Sequence, residues 1–68
     1  MDIENVFTYH APTREQLALY ANVRNAGKQL ADTIQRDVPA GADQSAALRK
    51  VREAVFTANA GIALDGKL

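Results

Sequence analysis

The side chains that could carry out chemistry are few and do not form a catalytic set. Cysteine is absent, and His10 is the only histidine, so it is the only ordinary candidate for a general base. It lies beside Tyr9 near the start of the chain, where we interpret it as a structural histidine bonded to the backbone. Gly27-Lys28 lacks the earlier glycine and the following Ser or Thr of a phosphate-binding loop. The sequence therefore favours ligand binding over catalysis, with neither a metal nor a cofactor.

Binding chemistry is better represented. Tyr20, Arg24 and Lys28 are spaced four residues apart, so on a helix they form one row with an aromatic ring and two cations. Arginine grips a phosphate through two hydrogen bonds, lysine adds a point charge, and an aromatic ring stacks on a base. Such a row suits a phosphorylated, ring-bearing ligand. The alternative is a solvated basic face with Tyr20 in the core, and the residues alone do not separate the two.

Two other polar groups have plainer interpretations. Arg49, Lys50 and Arg52 flank a core position and are followed by an acidic residue, which is ordinary for a solvated helix face. Asn59 lies among alanines, and its amide could cap a helix, fix helix register or read the edge of a ligand. We favour a local structural use for Asn59.

The length of the chain limits the stability of a single copy. A domain of 68 residues has a small core that rarely supplies more than about 3–5 kcal/mol, and such domains add disulfides, a metal or partner subunits. Without cysteine and with one histidine, disulfides and a conventional structural zinc site are not expected. Self-association is the remaining way to stabilise the fold.

The charge balance argues against polymeric partners. Eight basic and eight acidic residues cancel, so no strong field attracts long nucleic acid or an anionic membrane. No apolar run approaches the roughly 20 residues of a membrane span, and residues 1–5 lack the pattern of a secretory signal. We therefore expect a cytosolic protein.

The apolar periodicity predicts a single all-α domain over residues 1–68. Residues 1–11 show no capped start and no helical period, and a strand at 7–10 would have no partner. We expect a short N-terminal arm or helix there, whose aromatic side chains dock onto the long helices. Helix one is predicted over 13–36, with Thr13 as its cap and Gln16 reaching back to it. Its apolar stripe consists of Leu17, Tyr20, Val23, Gly27, Leu30, Ala31 and Ile34.

A turn separates this helix from the next one. Pro39 and Gly41 interrupt the pattern and predict the turn over 38–43. Helix two is predicted over 44–64, capped by Asp43 or Ser45 and ended near Gly66. Because a short loop joins two long helices, they must be antiparallel neighbours.

The predicted seam between the helices is rich in small residues: Ala26, Gly27, Ala54, Ala58, Ala60 and Gly61. A glycine inside a soluble helix costs about 1 kcal/mol relative to alanine, so two glycines indicate close helix packing, which we favour, or a nearby ligand. Leu19, Phe56 and Leu64 fall off the main stripes and leave apolar surface that one hairpin cannot cover. The predicted fold is therefore an oligomeric helical hairpin.

Several segments occur in order along the chain: Phe7-Thr8-Tyr9-His10-Ala11-Pro12, Val23-Arg24, Lys28-Gln29-Leu30-Ala31, Val38-Pro39, Ala46-Ala47-Leu48, Val51-Arg52-Glu53-Ala54-Val55 and Ala58-Asn59-Ala60-Gly61-Ile62-Ala63. Together they resemble the small phage anti-CBASS sponge proteins. CBASS is a bacterial defence that signals with cyclic oligonucleotides, and these proteins sequester the messengers. Where some members carry a basic residue after Ala-Asn-Ala, this chain has Leu64-Asp65.

The resemblance implies a fold and a ligand site. It implies a short N-terminal element and two antiparallel helices assembled into a hexamer, with cyclic dinucleotides bound between subunits and, in some members, cyclic trinucleotides near a threefold axis. Tyr9 of the Tyr-His-x-Pro element is then expected to stack on a base, and Arg24 or Lys28 to meet phosphate. His10 and Asn59 complete the candidate set of ligand-binding residues.

The predicted function is capture of cyclic dinucleotides without cleavage, with cyclic trinucleotides as a further ligand class, in the cytoplasm of the host bacterial cell. A twofold ligand closed between two subunits receives each stacking ring and each cation twice, which requires no net positive charge. Two other functions remain open. An adaptor would bind a host protein through the exposed apolar helix face, and a hydrolase would release a linear product from the same messengers.

Overall fold

The computed structural model describes residues 1–67, and this part of the chain contains three helices: α1 (Ile3–Val6), α2 (Arg14–Asp37) and α3 (Ala42–Ala63). Among them, only α2 and α3 pack against each other, and they form a hairpin. No strand occurs in these residues. The predicted all-α fold, a short N-terminal element followed by a helical hairpin, is confirmed. Leu68, which closes the predicted domain, lies outside the described residues.

The start of α2 has the predicted capping box. The backbone N–H of Gln16 donates to the Thr13 hydroxyl at 3.1 Å, and the backbone N–H of Thr13 donates to the Gln16 side chain at 3.0 Å. The Gln16 amide also donates to the carbonyl oxygen of Ile62 at 3.0 Å. One side chain therefore satisfies the first turn of α2 and ties it to the last turn of α3.

At the turn, the predicted cap of the second helix is wrong. Gly41 is the N-cap residue and makes no side-chain cap, so α3 begins at Ala42 and Asp43 lies inside its first turn. There the Asp43 carboxylate interacts favourably with the positive end of the helix dipole, but it does not cap the helix. Gln44 closes the turn instead, because its amide donates to the carbonyl oxygens of Gln35 and Val38 at 3.2 and 3.0 Å.

The two long helices approach most closely at Gly27. A Cβ atom added there would lie 2.5 Å from Cγ2 of Val55 and 3.9 Å from Cγ1 of Val51. The favoured interpretation of this glycine, close helix packing, is confirmed. For Gly61 the interpretation as close helix packing is wrong within one chain, since an added Cβ atom would meet nothing within 4 Å.

The N-terminal arm (residues 1–12) contains the short helix that the sequence analysis expected as one alternative, but it differs from that analysis in its capped start and its exposed aromatic side chains. It contains a capped helix, because the Asp2 side chain accepts a hydrogen bond from the backbone N–H of Asn5. Its aromatic side chains do not dock onto the hairpin: Phe7 is 81% exposed and Tyr9 is 85% exposed. The arm folds on itself instead, since Nε2 of His10 lies 2.7 Å from the carbonyl oxygen of Asn5.

The hairpin leaves much of its apolar surface open. No side chain among residues 1–67 is fully buried, and Leu17, Leu30 and Phe56 are 52–59% exposed. The accessible surface is 5458 Å², whereas a compact monomer of this mass exposes about 4,200 Å². The radius of gyration is 14.6 Å, against about 11 Å for a compact chain of this length. A single copy is therefore extended and thinly packed.

None of the helices within residues 1–67 is apolar enough over its length to cross a lipid bilayer.

Candidate functional site

A cleft between α2 and α3 is lined by polar, aromatic and apolar residues from both helices. It has a volume of about 630 Å³ and is lined by Leu17, Tyr20 and Arg24 of α2 and by Val55, Phe56 and Asn59 of α3. The α2 residues share one face because they follow each other at spacings of three and four residues. On α3, Asn59 lies four residues after Val55 and three after Phe56, so it neighbours both of them on the helix surface. We call this the α2–α3 cleft.

Tyr20 and Arg24 both line this cleft, as expected from the four-residue spacing that places them in one row on helix one. Tyr20 is half-buried and Arg24 is exposed, so the ring packs against the hairpin while the guanidinium remains in contact with water. The structure therefore combines the two alternatives that the sequence left open: Tyr20 contributes to packing and also lines the cleft.

Asn59 brings an acceptor that the single chain does not satisfy. Its Oδ1 atom is buried and has no hydrogen-bond partner within residues 1–67. Leaving a buried acceptor unpaired costs about 1–3 kcal/mol. The local structural use favoured from the sequence therefore fails for this atom. Within the described part of the chain, no residue that lines the cleft donates a hydrogen bond to this atom.

A shallower groove of about 330 Å³ adjoins the cleft and shares Arg24, Val55 and Phe56 with it. Lys28 lines this groove from α2, and Arg52 lines it from α3. We call it the cationic groove. The surface of this groove is almost wholly apolar, so Arg24, Lys28 and Arg52 contribute mainly the aliphatic parts of their side chains to its lining. All three residues are exposed, and no carboxylate lines the cleft or the groove, so a ligand that carries negative charge would meet cations at the rim of this surface.

The three cations differ in their partners. The Lys28 ammonium is 2.9 Å from the Asp32 carboxylate, and this hydrogen bond, with the negative charge of Asp32, raises the pKa of Lys28. The other salt bridge in residues 1–67 joins Arg36 to Asp37 at 2.9 Å, and its hydrogen bond raises the pKa of Arg36. Arg24 and Arg52 take part in neither pair. They are thus the better anchors for a phosphate.

Tyr9 and His10 do not line the cleft or the groove of their own chain. Tyr9 is exposed, and His10 is half-buried. The contact between Nε2 of His10 and the Asn5 carbonyl oxygen agrees with the structural interpretation of this histidine. Of the predicted site residues, Tyr20, Arg24 and Asn59 meet in one cleft, Lys28 lies beside them, and the arm residues stay apart.

Sequence reasoning missed two residues of this surface. Phe56 was interpreted only as uncovered apolar surface, and Arg52 as a solvated charge. In the structure the Arg52 guanidinium carbon lies 5.3 Å above the centre of the Phe56 ring. A signal was present, because Arg52, Phe56 and Asn59 stand at spacings of four and three residues, which places them on one face of α3.

An apolar groove of about 300 Å³ is also present in the hairpin. Its lining includes Val23, Gly27 and Leu30 of α2 and Val51 and Ala58 of α3. The groove is open to solvent in the single chain and carries almost no polar surface. It is the part of the molecule best suited to contact with another apolar surface.

A short N-terminal helix, a two-helix hairpin and a cleft that combines aromatic rings with cations define a small helical binding protein. The chain belongs to the family described as Acb2/Tad1, hairpin domain, whose model matches residues 1–63. This is the anti-CBASS sponge family, so the resemblance drawn from the sequence is confirmed, and the family fits a role in binding cyclic oligonucleotides. No significant match was found among curated proteins or among solved structures.

Within residues 1–67, no group of three or more His, Cys, Asp or Glu side chains is placed to hold a metal ion.

Proposed function

We propose that this protein is a phage anti-defence sponge that binds cyclic dinucleotide messengers without cleaving them and so blocks CBASS immunity in the cytoplasm of the host bacterial cell. Cyclic trinucleotides are a second ligand class for the same protein. The observation that carries the proposal is the α2–α3 cleft, which brings Tyr20, Arg24 and Asn59 together without a carboxylate, in a chain whose family match covers residues 1–63.

The chemistry of the cleft suits one half of a cyclic dinucleotide. Arg24 supplies a planar fork that bonds two phosphate oxygens, and such charge-assisted bonds are stronger than neutral ones. The rings of Tyr20 and Phe56 offer apolar and aromatic surface, and the amide of Asn59 can pair with the edge of a base. Lys28 adds positive charge at the rim, weakened by its contact with Asp32.

The exposure of Tyr9 supports a role for the arm in the complex. A tyrosine that is 85% exposed carries an aromatic surface that its own chain does not use. Stacking of a base on an aromatic ring contributes about 1–3 kcal/mol. We assign Tyr9 to stacking on a base in a site shared between copies, with His10 beside it holding the arm in shape.

The assembly we propose is a homo-oligomer, with a hexamer as the family expectation. The accessible surface exceeds that of a compact monomer by about 1,200 Å², and a typical stable interface removes about 800 Å² from each partner. The apolar groove supplies a surface for such contacts. A cyclic dinucleotide carries two phosphates, so two copies related by a twofold axis can each supply one Arg24 to it.

Capture without cleavage is supported by the state of His10. The only histidine of the chain has its Nε2 atom occupied by the carbonyl oxygen of Asn5 at 2.7 Å. A general base must reach the proton that it removes. In this conformation His10 shapes the arm, so the chain lacks an ordinary base at the cleft.

Native mass spectrometry of the full chain, alone and with a panel of cyclic dinucleotides and cyclic trinucleotides, tests the proposal. We expect an oligomer that gains a whole number of intact ligands, and chromatography of the released ligand should recover the cyclic form. A panel that leaves the mass unchanged would contradict the binding function. Linear product after incubation would contradict capture without cleavage.

The apolar groove keeps one rival function in play, an adaptor that binds a host protein through this surface. The same panel separates the two. A host protein recovered with the chain, together with a mass that no nucleotide changes, would favour the adaptor. Recovery of the ligand-loaded oligomer favours the sponge.

A further inference from the structure

Arg52 is a cation for which neither the family resemblance nor the sequence pattern provides a role. It lies on α3, faces the cationic groove, and forms no salt bridge within residues 1–67. Its guanidinium carbon stands 5.3 Å over the centre of the Phe56 ring. That distance is within the range of a cation–π interaction. The Arg52 side chain is therefore supported by the Phe56 ring, and its positive charge has no acidic partner within residues 1–67.

The stacked arrangement leaves the hydrogen-bonding edge of Arg52 available. A guanidinium is planar, and its N–H donors point outward in that plane. Because the ring covers one flat face, the donors along the edge remain free to meet an acceptor. A platform that holds the side chain in place also lowers the entropy lost when a ligand orders it.

Arg24 lines the same groove from the opposite helix. Both arginines are exposed, and no carboxylate among the groove residues neutralises their positive charges. Lys28, the third cation of the groove, already has Asp32 at 2.9 Å. A phosphate between the two arginines would neutralise both of them and receive hydrogen bonds from two helices.

We propose that Arg52 is a second phosphate-binding residue, which acts with Arg24 of the same hairpin on one phosphate of the ligand while Phe56 holds it in position. This inference rests on the proposed function and specifies which residues of the chain contact the phosphate. It makes each hairpin a complete half-site for phosphate, formed by α2 and α3 together. The stacking ring of Tyr9 then comes from the arm.

The test compares Arg52→Gln with Arg49→Gln in the full-length chain. Both substitutions remove one positive charge from the same run of basic residues, but Arg49 lines neither the cleft nor the cationic groove. Calorimetry with cyclic di-AMP, cyclic di-GMP and cyclic GMP–AMP measures the affinities. For the ligand that the wild-type chain binds, we expect Arg52→Gln to weaken affinity about tenfold or more and Arg49→Gln less than about twofold.

Two further variants separate a phosphate contact from a structural role. Arg52→Lys keeps the charge but loses the planar fork, so it should recover only part of the affinity. Phe56→Leu keeps an apolar side chain but removes the platform, and it should weaken binding in the wild-type background much more than in Arg52→Gln. Native mass spectrometry of each variant reports whether the assembly is retained.

The outcomes are distinct. If the wild-type chain binds a cyclic dinucleotide and Arg52→Gln binds it as tightly as Arg49→Gln does, the inference is overturned while the proposed function stands. If Arg52→Gln breaks the assembly, the affinity of Arg52→Lys decides: a partial loss of affinity in an intact Arg52→Lys oligomer supports the phosphate contact, and wild-type affinity overturns it. A wild-type chain that binds none of the three nucleotides overturns both proposals.

Discussion

Two regions of this molecule differ in how closely their side chains are packed within one chain. At the crossing of the helices, formed by Gly27, Val51 and Val55, the chain fills its own space, and not even a methyl group could be added at Gly27 without displacing Val55. On the open face, which consists of the N-terminal arm and the exposed side of α3, Tyr9 stands 85% exposed and Phe56 59% exposed. The contact between Gly27 and Val55 is completely packed within one chain, whereas the open face, like the apolar groove beside the crossing, leaves apolar surface uncovered.

This difference indicates which residues serve the fold and which serve the ligand. Substitutions that add atoms at the crossing should destabilise the hairpin, whereas substitutions of ligand-binding residues on the open face should weaken ligand capture without destabilising the hairpin. The following predictions test that division, beginning with the largest expected effect.

Replacing Tyr9 with alanine should reduce affinity for a cyclic dinucleotide by at least about 30-fold. The reason is that a twofold site loses two stacked rings, each worth about 1–3 kcal/mol, while an exposed side chain contributes little to folding. Calorimetry measures the affinity, and native mass spectrometry checks the assembly. Tyr9→Phe is the matched control and should bind nearly as well as the wild-type chain. Unchanged affinity in Tyr9→Ala would remove this residue from the site.

Gly27→Ala should lower the free energy of unfolding by about 1–2 kcal/mol, because overpacking costs about 1–3 kcal/mol and the better helix propensity of alanine returns part of it. Gly61→Ala is its counterpart on the open face. With no neighbour within 4 Å, it should stabilise the hairpin by about 1 kcal/mol. Denaturant unfolding at equal protein concentration compares them. The division between the regions would be wrong if both variants shifted stability in the same direction.

Asn59→Leu should raise the free energy of unfolding of the hairpin by about 1 kcal/mol, because it removes a buried acceptor that receives no hydrogen bond within residues 1–67. The same variant should bind cyclic dinucleotides more weakly, since the cleft loses its amide. Opposite changes in stability and affinity are the signature of a residue kept for a ligand. Parallel losses of stability and affinity would show that Asn59 serves the fold.

Lys28→Gln should have the smallest effect, less than about threefold on affinity, because an exposed charge at a rim contributes little and this one is already paired with Asp32. Because the contact with Asp32 raises the pKa of Lys28 above its usual 10.5, its charge persists through neutral pH and is lost only in strongly alkaline solution. Affinities at pH 6 and pH 8 should differ equally little for wild-type and variant. Arg24→Gln is the control and should weaken binding at least about tenfold.

Local chemistry made the hairpin predictable from the sequence. Thr13 and Gln16 form their capping box because both partners lie within one turn of the chain. Gly27 could be assigned to close packing because a glycine inside a helix otherwise only lowers the stability of that helix. Both inferences need no knowledge of distant residues.

What the sequence could not provide depends on contacts across the hairpin or on elements too short for periodicity. Helix α1 spans four residues, fewer than the window in which a helical repeat becomes visible. The start of α3 was misplaced because its N-cap residue, Gly41, makes no side-chain capping bond, whereas Asp43 and Ser45 are residue types that favour the N-cap position. That Arg24 and Arg52 line the same groove could not be predicted from the sequence, because it depends on how the two helices are rotated against each other.

The amide of Gln16 has a consequence for how the hairpin opens. Its oxygen accepts from Thr13 at the entry to α2, and its nitrogen donates to Ile62 near the exit of α3. The two helix ends farthest from the turn are therefore joined by one side chain, and fraying of either end breaks a hydrogen bond to the other, worth about 0.5–1.5 kcal/mol. This bond links the chain segment that carries the arm to the turn of helix that follows Asn59.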